Sequence, residues 1–512
     1  MSQPATLTWF ARHETRLLWR RWISMMTAGK RSREPILAVV AVVFVALIHL
    51  FAYYLIAPVA EAGISPDKTT LVVLTGAAFL SCSLMLSQAM ESVTRAFYAQ
   101  ADLDLILSSP ASARRIFAVR MMAIALSTTL LTTVLAGPFI NALVIYDGSR
   151  WFAAYGVILA LGALSAGFAI AVTVALFRCL GPKRTRLISQ IVSAVVGAGF
   201  VIGAQAAAII STGSISRFNF LRSEDFLARA PEAAHFFWWP ARATMGNVTA
   251  LTVMLGIGLS LLALVILVFS ANFGDHVVAA SGEAYESKKQ QHRLAVFRPA
   301  STGHALRRKE WMLLRRDPWL MSQTLMQILY LLPPVLLLWR NFGDDLGGLL
   351  ILVPVIVMAS GQLAGGLAWL AVSGEDAPDL VASAPITERA VIVAKIEAVL
   401  GAVAIVIAPL LVAIAIAAPM IAAVALLGVA VSASSGTMIQ IWFRAQAKRS
   451  NFWRRQTSSR IATVAEALSS ILWAATAALV AAGSWFALGS ALIALLTLAG
   501  AWLVRPRQAN GT

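Results

Sequence analysis

Few side chains in this sequence could do chemistry, and most of them fail on spacing. His13-Glu14 opens like the H-E-x-x-H helix of a zinc protease, but Leu17 stands where the second imidazole must be, so no such metal pair exists. Gly29-Lys30-Arg31 and Gly181-Pro182-Lys183 lack the upstream glycine and the hydroxyl residue that cradle phosphates and hold magnesium in a phosphate-binding loop. No G-x-S-x-G nucleophile elbow occurs. His49, Glu397 and Glu466 fall inside apolar runs. A lone histidine there reads as a structural bond to a neighbouring helix, with a proton relay as the other reading. Glu397 and Glu466 lie near run ends and are expected to snorkel or to pair with Lys395 or Arg460. The runs carry no chain of carboxylates, which argues against proton-coupled transport.

One polar pattern does recur. Residues 102–120 read DLDLILSSPASARRIFAVR and residues 377–395 read APDLVASAPITERAVIVAK. A shift of 275 places Asp104 on Asp379, Ser108 on Ser383, Pro110 on Pro385, Arg114 on Arg389 and Arg120 on Lys395. Asp102 and Asp376 add acid to the two copies, and Thr387 a further hydroxyl to the second. Serine before proline is a helix-start signal, so a helix should end near Leu107 and the next begin at Pro110. Residues 91–110 and 366–385 are each expected to fold as a short helix. Carboxylates suit a protein partner better than the negative inner leaflet. A pair of docking elements for a two-fold symmetric partner is the reading; a capped turn that merely connects spans is the alternative.

The elements that must position these loops are membrane helices. The 512 residues are 59% hydrophobic and 13% charged, with mean hydropathy +0.78, too apolar for a soluble domain of this size. Runs of about 20 apolar residues number twelve: 36–57, 69–90, 119–143, 151–177, 187–210, 248–269, 320–338, 346–372, 391–418, 419–441, 461–482 and 485–504. Only a turn near Pro419 divides the nearly charge-free stretch 391–441. With the N-terminus placed in the cytoplasm, 34 of the 41 Lys/Arg fall on the cytoplasmic side and 7 outside. The net charge of +17 is therefore a positive-inside signal and points to no nucleic-acid partner. Cys82 and Cys179 suggest no disulfide framework, and no cleavable signal peptide is expected. The excess of arginine over lysine and the many alanines hint at a GC-rich bacterial genome.

Two further echoes accompany the loop. Arg12-His-Glu14-Thr-Arg-Leu-Leu-Trp-Arg20 matches Arg308-Lys-Glu310-Trp-Met-Leu-Leu-Arg-Arg316 as R-x-E-x-x-L-L-x-R, each copy just before the first span of a half. At helical spacing Trp9, Leu17 and Trp22 can face acyl chains while arginines reach headgroups, as in an amphipathic helix on the membrane surface. Phe177-Arg178 with Lys183, Arg184 and Arg186 is echoed by Phe443-Arg444 with Lys448, Arg449 and Arg460. The fold expected is all-α and polytopic, two parallel six-helix repeats: a first half 1–270, a connector with the second surface helix 271–319, and a second half 320–512.

In this arrangement the chain resembles the permease subunit of a type-2 ATP-binding-cassette exporter. There each half has an amphipathic elbow helix, here 5–30 and within 271–319, and a coupling helix between its second and third spans, here 91–118 and 371–390. The L-x-x-S-x-P-x-[ST]-x-R element from Leu105 to Arg114 and from Leu380 to Arg389 carries the local likeness. The resemblance implies docking of a cytoplasmic ATPase dimer by Asp102, Asp104, Ser108, Pro110 and Arg114, and by Asp376, Asp379, Ser383, Pro385 and Arg389. It implies ATP on the partner subunit, no cofactor on this chain, lipid contact, and a bacterial inner membrane with both termini cytoplasmic. The family's first, second and fifth spans line the path, which implies Ser83, Ser87, Gln88, Gln190, Gln205, Gln323, Gln327, Tyr330 and Gln362 as lining candidates; helix-to-helix bonding is their other reading. The family's external insertion is present in the first half at 211–247 and missing from the second. Phe236, Phe237, Trp238 and Trp239 in it read as an interfacial aromatic anchor. A twelve-span ion-coupled transporter and a non-transporting scaffold remain the rival readings.

Overall fold

The computed structural model describes residues 34–61, 63–98, 112–212, 224–270, 301–316, 346–373, 383–443 and 460–505, with isolated positions at 12–23, 325–336 and 381. Every regular element among them is helical. The order is α1 (Glu34–Glu61), α2 (Lys68–Tyr98), α3 (Ala113–Asp147), a 3-10 turn (Ser149–Phe152), α4 (Ala153–Thr212), α5 (Glu224–Arg229), a 3-10 turn (Phe236–Trp238), α6 (Trp239–Thr244), α7 (Val248–Ser270), α8 (Thr302–Arg316), α9 (Leu346–Ser373), α10 (Glu388–Ala417), α11 (Pro419–Phe443), α12 (Arg460–Ala481) and α13 (Phe486–Val504). Eleven helical stretches among the described residues are long and apolar enough to cross a membrane. Tyr54, Leu267, Ile416 and Met420 point outward as large bare side chains, a surface suited to acyl chains and not to water. The chain is a polytopic α-helical membrane protein. The expected span 320–338 lies almost wholly outside the described residues.

The chain divides into two compact units, Met1–Ala208 with Ser216–His292, and Ile209–Ile215 with Arg293–Thr512. In the first unit the start of α4 is central: 72% of its most apolar window is buried, against 6% for α1. Ala166, Ala169, Ile170 and Val174 of α4 pack with Ala89, Met90 and Val93 of α2 and Phe117 and Met121 of α3. The basic segment 178–187, expected as a loop, is helical on both sides of one reversal. Gly181 takes φ 70° and ψ 169°, a left-handed backbone that glycine adopts without a Cβ clash. The buried Thr185 hydroxyl then donates to the Gly181 carbonyl at 2.7 Å. Beyond the turn the chain runs antiparallel to α2, since Ser83, Ser87 and Thr94 meet Val196, Ser193 and Ser189 in descending order.

In the second unit α9 is central, its Leu352, Val353, Ile356, Leu363 and Leu367 packing with Val399, Val403 and Ile407 of α10. The expected break at Pro419 is present: Ala418 leaves helical geometry at φ −152° and ψ 89°, and Pro419 opens α11.

The loop expectation needs correction at both ends. Residues 91–98 form no separate short helix; they continue α2, where Arg95 pairs with Glu91 one turn back at 3.3 Å. Residues 366–373 likewise complete α9, but Val381 and Ser383 are helical and 384–386 are not, so in the second copy helix ends at the expected Ser383-x-Pro385 break. The next helix does not begin at Pro110 either. Ser112 is still extended, at φ −69° and ψ 129°, and α3 starts at Ala113. In the second copy Thr387 is extended at φ −75° and ψ 139°, and α10 starts at Glu388. These starts lie 275 positions apart, the offset of the sequence repeat.

Candidate functional site

At the foot of α10 three helices meet. α8 begins at Ser301, whose hydroxyl faces the amide of His304 at 3.4 Å. Leu306, Glu310 and Leu314 recur every fourth residue and form its buried stripe, so a carboxylate sits in the middle of an apolar face. Glu310 is fully buried and Lys395 of α10 nearly so. Lys395 Nζ lies 3.0 and 3.1 Å from the two Glu310 oxygens and donates to the Ala371 carbonyl near the end of α9 at 2.5 Å. Lys309 Nζ approaches the same carboxylate at 3.4 Å. A buried carboxylate is tolerated only when charge and hydrogen bonds compensate the lost water, and here they do. A second, exposed pair joins Arg307 of α8 to Glu397 of α10. It holds the Arg307 guanidinium above its ordinary range, through the hydrogen bond and then the charge. Glu397 is exposed and has a partner that the sequence reading did not name, Arg307 of α8. Trp311 also packs here, 3.0 Å from the place a Cβ on Gly401 would take.

Ser383, Pro385 and Arg389 are exposed beside this junction, and Arg114 is exposed at the matching start of α3. Asp102, Asp104, Ser108, Pro110, Asp376 and Asp379 lie outside the described residues. Sequence reasoning saw Glu310 and Lys395 separately, as members of two repeated motifs, and missed that they bond to each other. The signal was present, because both repeats keep an acid in one motif and a base in the other: Glu14 with Arg120, Glu310 with Lys395.

The hydroxyls named as path candidates bond helix to helix. Ser83 donates to the Val196 carbonyl, Ser87 and Ser193 lie 3.1 Å apart, and Ser193 also donates to the Ser87 carbonyl at 2.8 Å. Thr94 and Ser189 close the same seam one level on. In lipid such bonds join spans that the hydrophobic effect cannot. Gln88, Gln190 and Gln362 are half-buried and Gln205 is buried. Gln323, Gln327 and Tyr330 lie outside the described residues.

In the second unit a glutamate takes part in such a seam. Glu466 of α12 does not snorkel; it turns inward and accepts from Gln440 Nε2 of α11. Glycine makes the room. A Cβ at Gly365 would lie 2.0 Å from the Glu466 carboxyl carbon, and one at Gly361 would lie 2.3 Å from Ser432 Oγ and 2.6 Å from Ser470 Oγ. Ser470 donates to the Glu466 carbonyl at 2.8 Å.

His49 settles as a structural residue. Its Nδ1 lies 2.8 Å from the Val45 carbonyl, which can only accept, so Nδ1 carries the proton. Nε2 then accepts from Asn141 Nδ2 at 3.3 Å, and Asn141 Oδ1 accepts from the Tyr155 hydroxyl at 2.7 Å. Both ring nitrogens of His49 are thus bonded, and the series fastens α1 to α3 and α4. Trp238 is likewise no membrane-belt anchor. It is almost fully buried against Leu71, Val72 and Ala241, with its indole N–H donating to the Glu232 carbonyl at 3.0 Å. Phe236 is exposed, and Phe237 meets Phe79 at 5.7 Å.

Among the described residues no three His, Cys, Asp or Glu side chains gather as a metal site. No family model, curated protein or solved structure matches the chain.

Proposed function

We propose that this chain is the membrane permease of an ATP-driven exporter of the type-2 ATP-binding-cassette kind, with two six-span halves fused in one polypeptide. A separate cytoplasmic ATPase dimer hydrolyses the ATP. The duplicated loop supports this reading most directly. Its two copies lead into helices that start at repeat-related positions, Ala113 and Glu388, after cap residues Ser112 and Thr387 of like backbone geometry. A chain that presents the same acidic loop twice suits a partner with two equivalent grooves. Asp102, Asp104, Asp376 and Asp379 face that partner, and Arg114 and Arg389 follow at the foot of each third span. The membrane is the bacterial inner membrane, with both termini cytoplasmic, as the distribution of Lys and Arg favours.

One observation favours the ion-coupled alternative: a carboxylate, Glu466, turned into a helix seam. It has an amide partner and close glycine packing, which makes a structural joint the better account.

Crosslinking tests the proposal. Cysteines placed along 100–108 and 375–383 should each crosslink to a co-expressed Walker-type ATPase encoded beside this chain. The double reversal Asp104→Lys with Asp379→Lys should reduce ATPase binding while membrane insertion persists. The absence of any crosslink, with the double reversal silent, would overturn the reading.

A further inference from the structure

The junction of α8, α9 and α10 does more than bury a surface helix. Lys395 bonds both α8, through Glu310, and the end of α9, through the Ala371 carbonyl. Ala371 precedes the second loop and Lys395 follows it. The two feet of that loop are thus held together by one ammonium group, and that group is held by a carboxylate on a third element. Its surroundings make the contact demanding. Glu310 is fully buried between Leu306 and Leu314, so it cannot turn to water if Lys395 is lost. The Lys395 stem is buried too, which fixes where its charge sits. Arg307 with Glu397 adds an exposed strap alongside, of the kind that contributes little by itself.

We infer that Glu310 and Lys395 are positioning residues: their buried pair latches α8 across the feet of the second loop, and so sets the place of Ser383, Pro385 and Arg389 for the ATPase. This rests on the permease reading above. A surface helix attached only by apolar contacts could slide along its groove, since such contacts are non-directional. An ion pair with two oxygens on one nitrogen, plus a carbonyl from a third helix, fixes register as well as proximity. The latch therefore makes α8, α9 and α10 move as one body at this end.

The test uses the full chain in lipid nanodiscs, with and without the co-expressed ATPase, and reads two quantities. The first is backbone hydrogen exchange over 302–316. The second is crosslinking of a Ser383→Cys variant to the ATPase. Lys395→Met keeps the apolar stem and leaves Glu310 buried without this partner. It should speed exchange over 302–316 by at least about tenfold and cut the crosslink severalfold. Lys395→Arg, which copies Arg120 of the first half, should restore both. The double variant Glu310→Leu with Lys395→Met should restore slow exchange, because an apolar pair can replace a buried ion pair without leaving a stranded charge, but not the crosslink, because apolar contacts do not fix register. That rescue separates helix docking from a requirement for charge as such.

If Lys395→Met leaves the exchange unchanged, the latch does not exist. If exchange rises and the crosslink does not fall, the pair is only structural and the positioning role is wrong. If the parent Ser383→Cys chain itself gives no crosslink, the permease reading fails, and the positioning role with it.

Discussion

Ser112 and Thr387 stand 275 positions apart and hold the same post: each is the last extended residue before a long apolar helix, at φ −69°, ψ 129° and φ −75°, ψ 139°. Their side chains differ in use. Thr387 Oγ1 accepts from the amide of Ala390 at 3.3 Å, whereas Ser112 makes no side-chain cap bond. Thr387→Ala should therefore destabilise the start of α10 by about 1 kcal/mol, and Ser112→Ala should do less to α3. Hydrogen exchange at 388–391 and at 113–116 measures both. Equal effects would mean that the two caps work alike in the folded protein.

The charge distribution motivates the orientation proposed above, and topology mapping tests it. With 34 Lys/Arg on one side and 7 on the other, reporter fusions at 65, 147, 225 and 343 should report outside, and fusions at 105, 183, 290, 380 and 450 inside. A consistent inversion would reverse the topology and place the acidic loops beyond reach of a cytoplasmic ATPase.

Continuous apolar runs made the spans legible, down to the break at Pro419, because length and hydropathy leave a long uncharged stretch no other fate. The ends were harder. The apolar run 69–90 stops before Glu91, yet Glu91 and Arg95 pair one turn apart and the same helix, α2, runs on to Tyr98. Serine before Pro110 reads as the start signal there, and α3 instead begins after Ser112. The side-chain partners come from packing, and only the recurrence of an acid and a base, Glu14 with Arg120 and Glu310 with Lys395, hinted at one of them. Nothing local to Glu310 points to Lys395, 85 residues on. Nothing near Glu466 shows that Gly365 leaves the space into which it folds. Trp238 read as an interfacial residue by composition and proved to be a core residue of the 211–247 insertion.

That space gives a sharp stability prediction. Gly365→Ala would set a methyl 2.0 Å from the Glu466 carboxyl carbon, so the end of that side chain must swing away and give up its bond to Gln440. The variant should lose about 1–3 kcal/mol, read as a lower midpoint of thermal unfolding in detergent. Glu466→Ala in the same background should recover part of the loss. If Gly365→Ala unfolds like the parent, α9 and α12 do not approach as described.

Asp67 gives a pH dependence with a definite sign. It caps α2, its Oδ1 accepting from the Thr70 amide at 2.9 Å. Hydrogen bonds from Thr70 hold its carboxyl below the ordinary value, against a smaller desolvation effect. A depressed carboxylate contributes stability that is present above the unfolded pKa, near 3.8, and is lost as pH falls through the folded one. Exchange at residues 68–71 should therefore show extra acid sensitivity only below about pH 4. Asp67→Asn, which caps without titrating, should remove that sensitivity. Persistence of the same acid step in Asp67→Asn would assign it to another group.

The chain from Tyr155 through Asn141 to His49 fixes a tautomer, and that can be observed. With Nδ1 donating to the Val45 carbonyl and Nε2 accepting from Asn141, the nitrogen-15 shifts of His49 should show a proton on Nδ1. Asn141→Ala removes both the donor to His49 and the acceptor for Tyr155. Two polar groups are then stranded at the contact of α1 with α3 and α4, where lipid offers no replacement. The loss should be about 1–3 kcal/mol, and larger than that of Tyr155→Phe, which leaves the His49 bond in place. His49→Gln should keep the fold, because an amide can also span from α1 to Asn141. A proton on Nε2, or an Asn141→Ala variant as stable as the parent, would show that the chain is not closed and would reopen His49 as a carrier of protons.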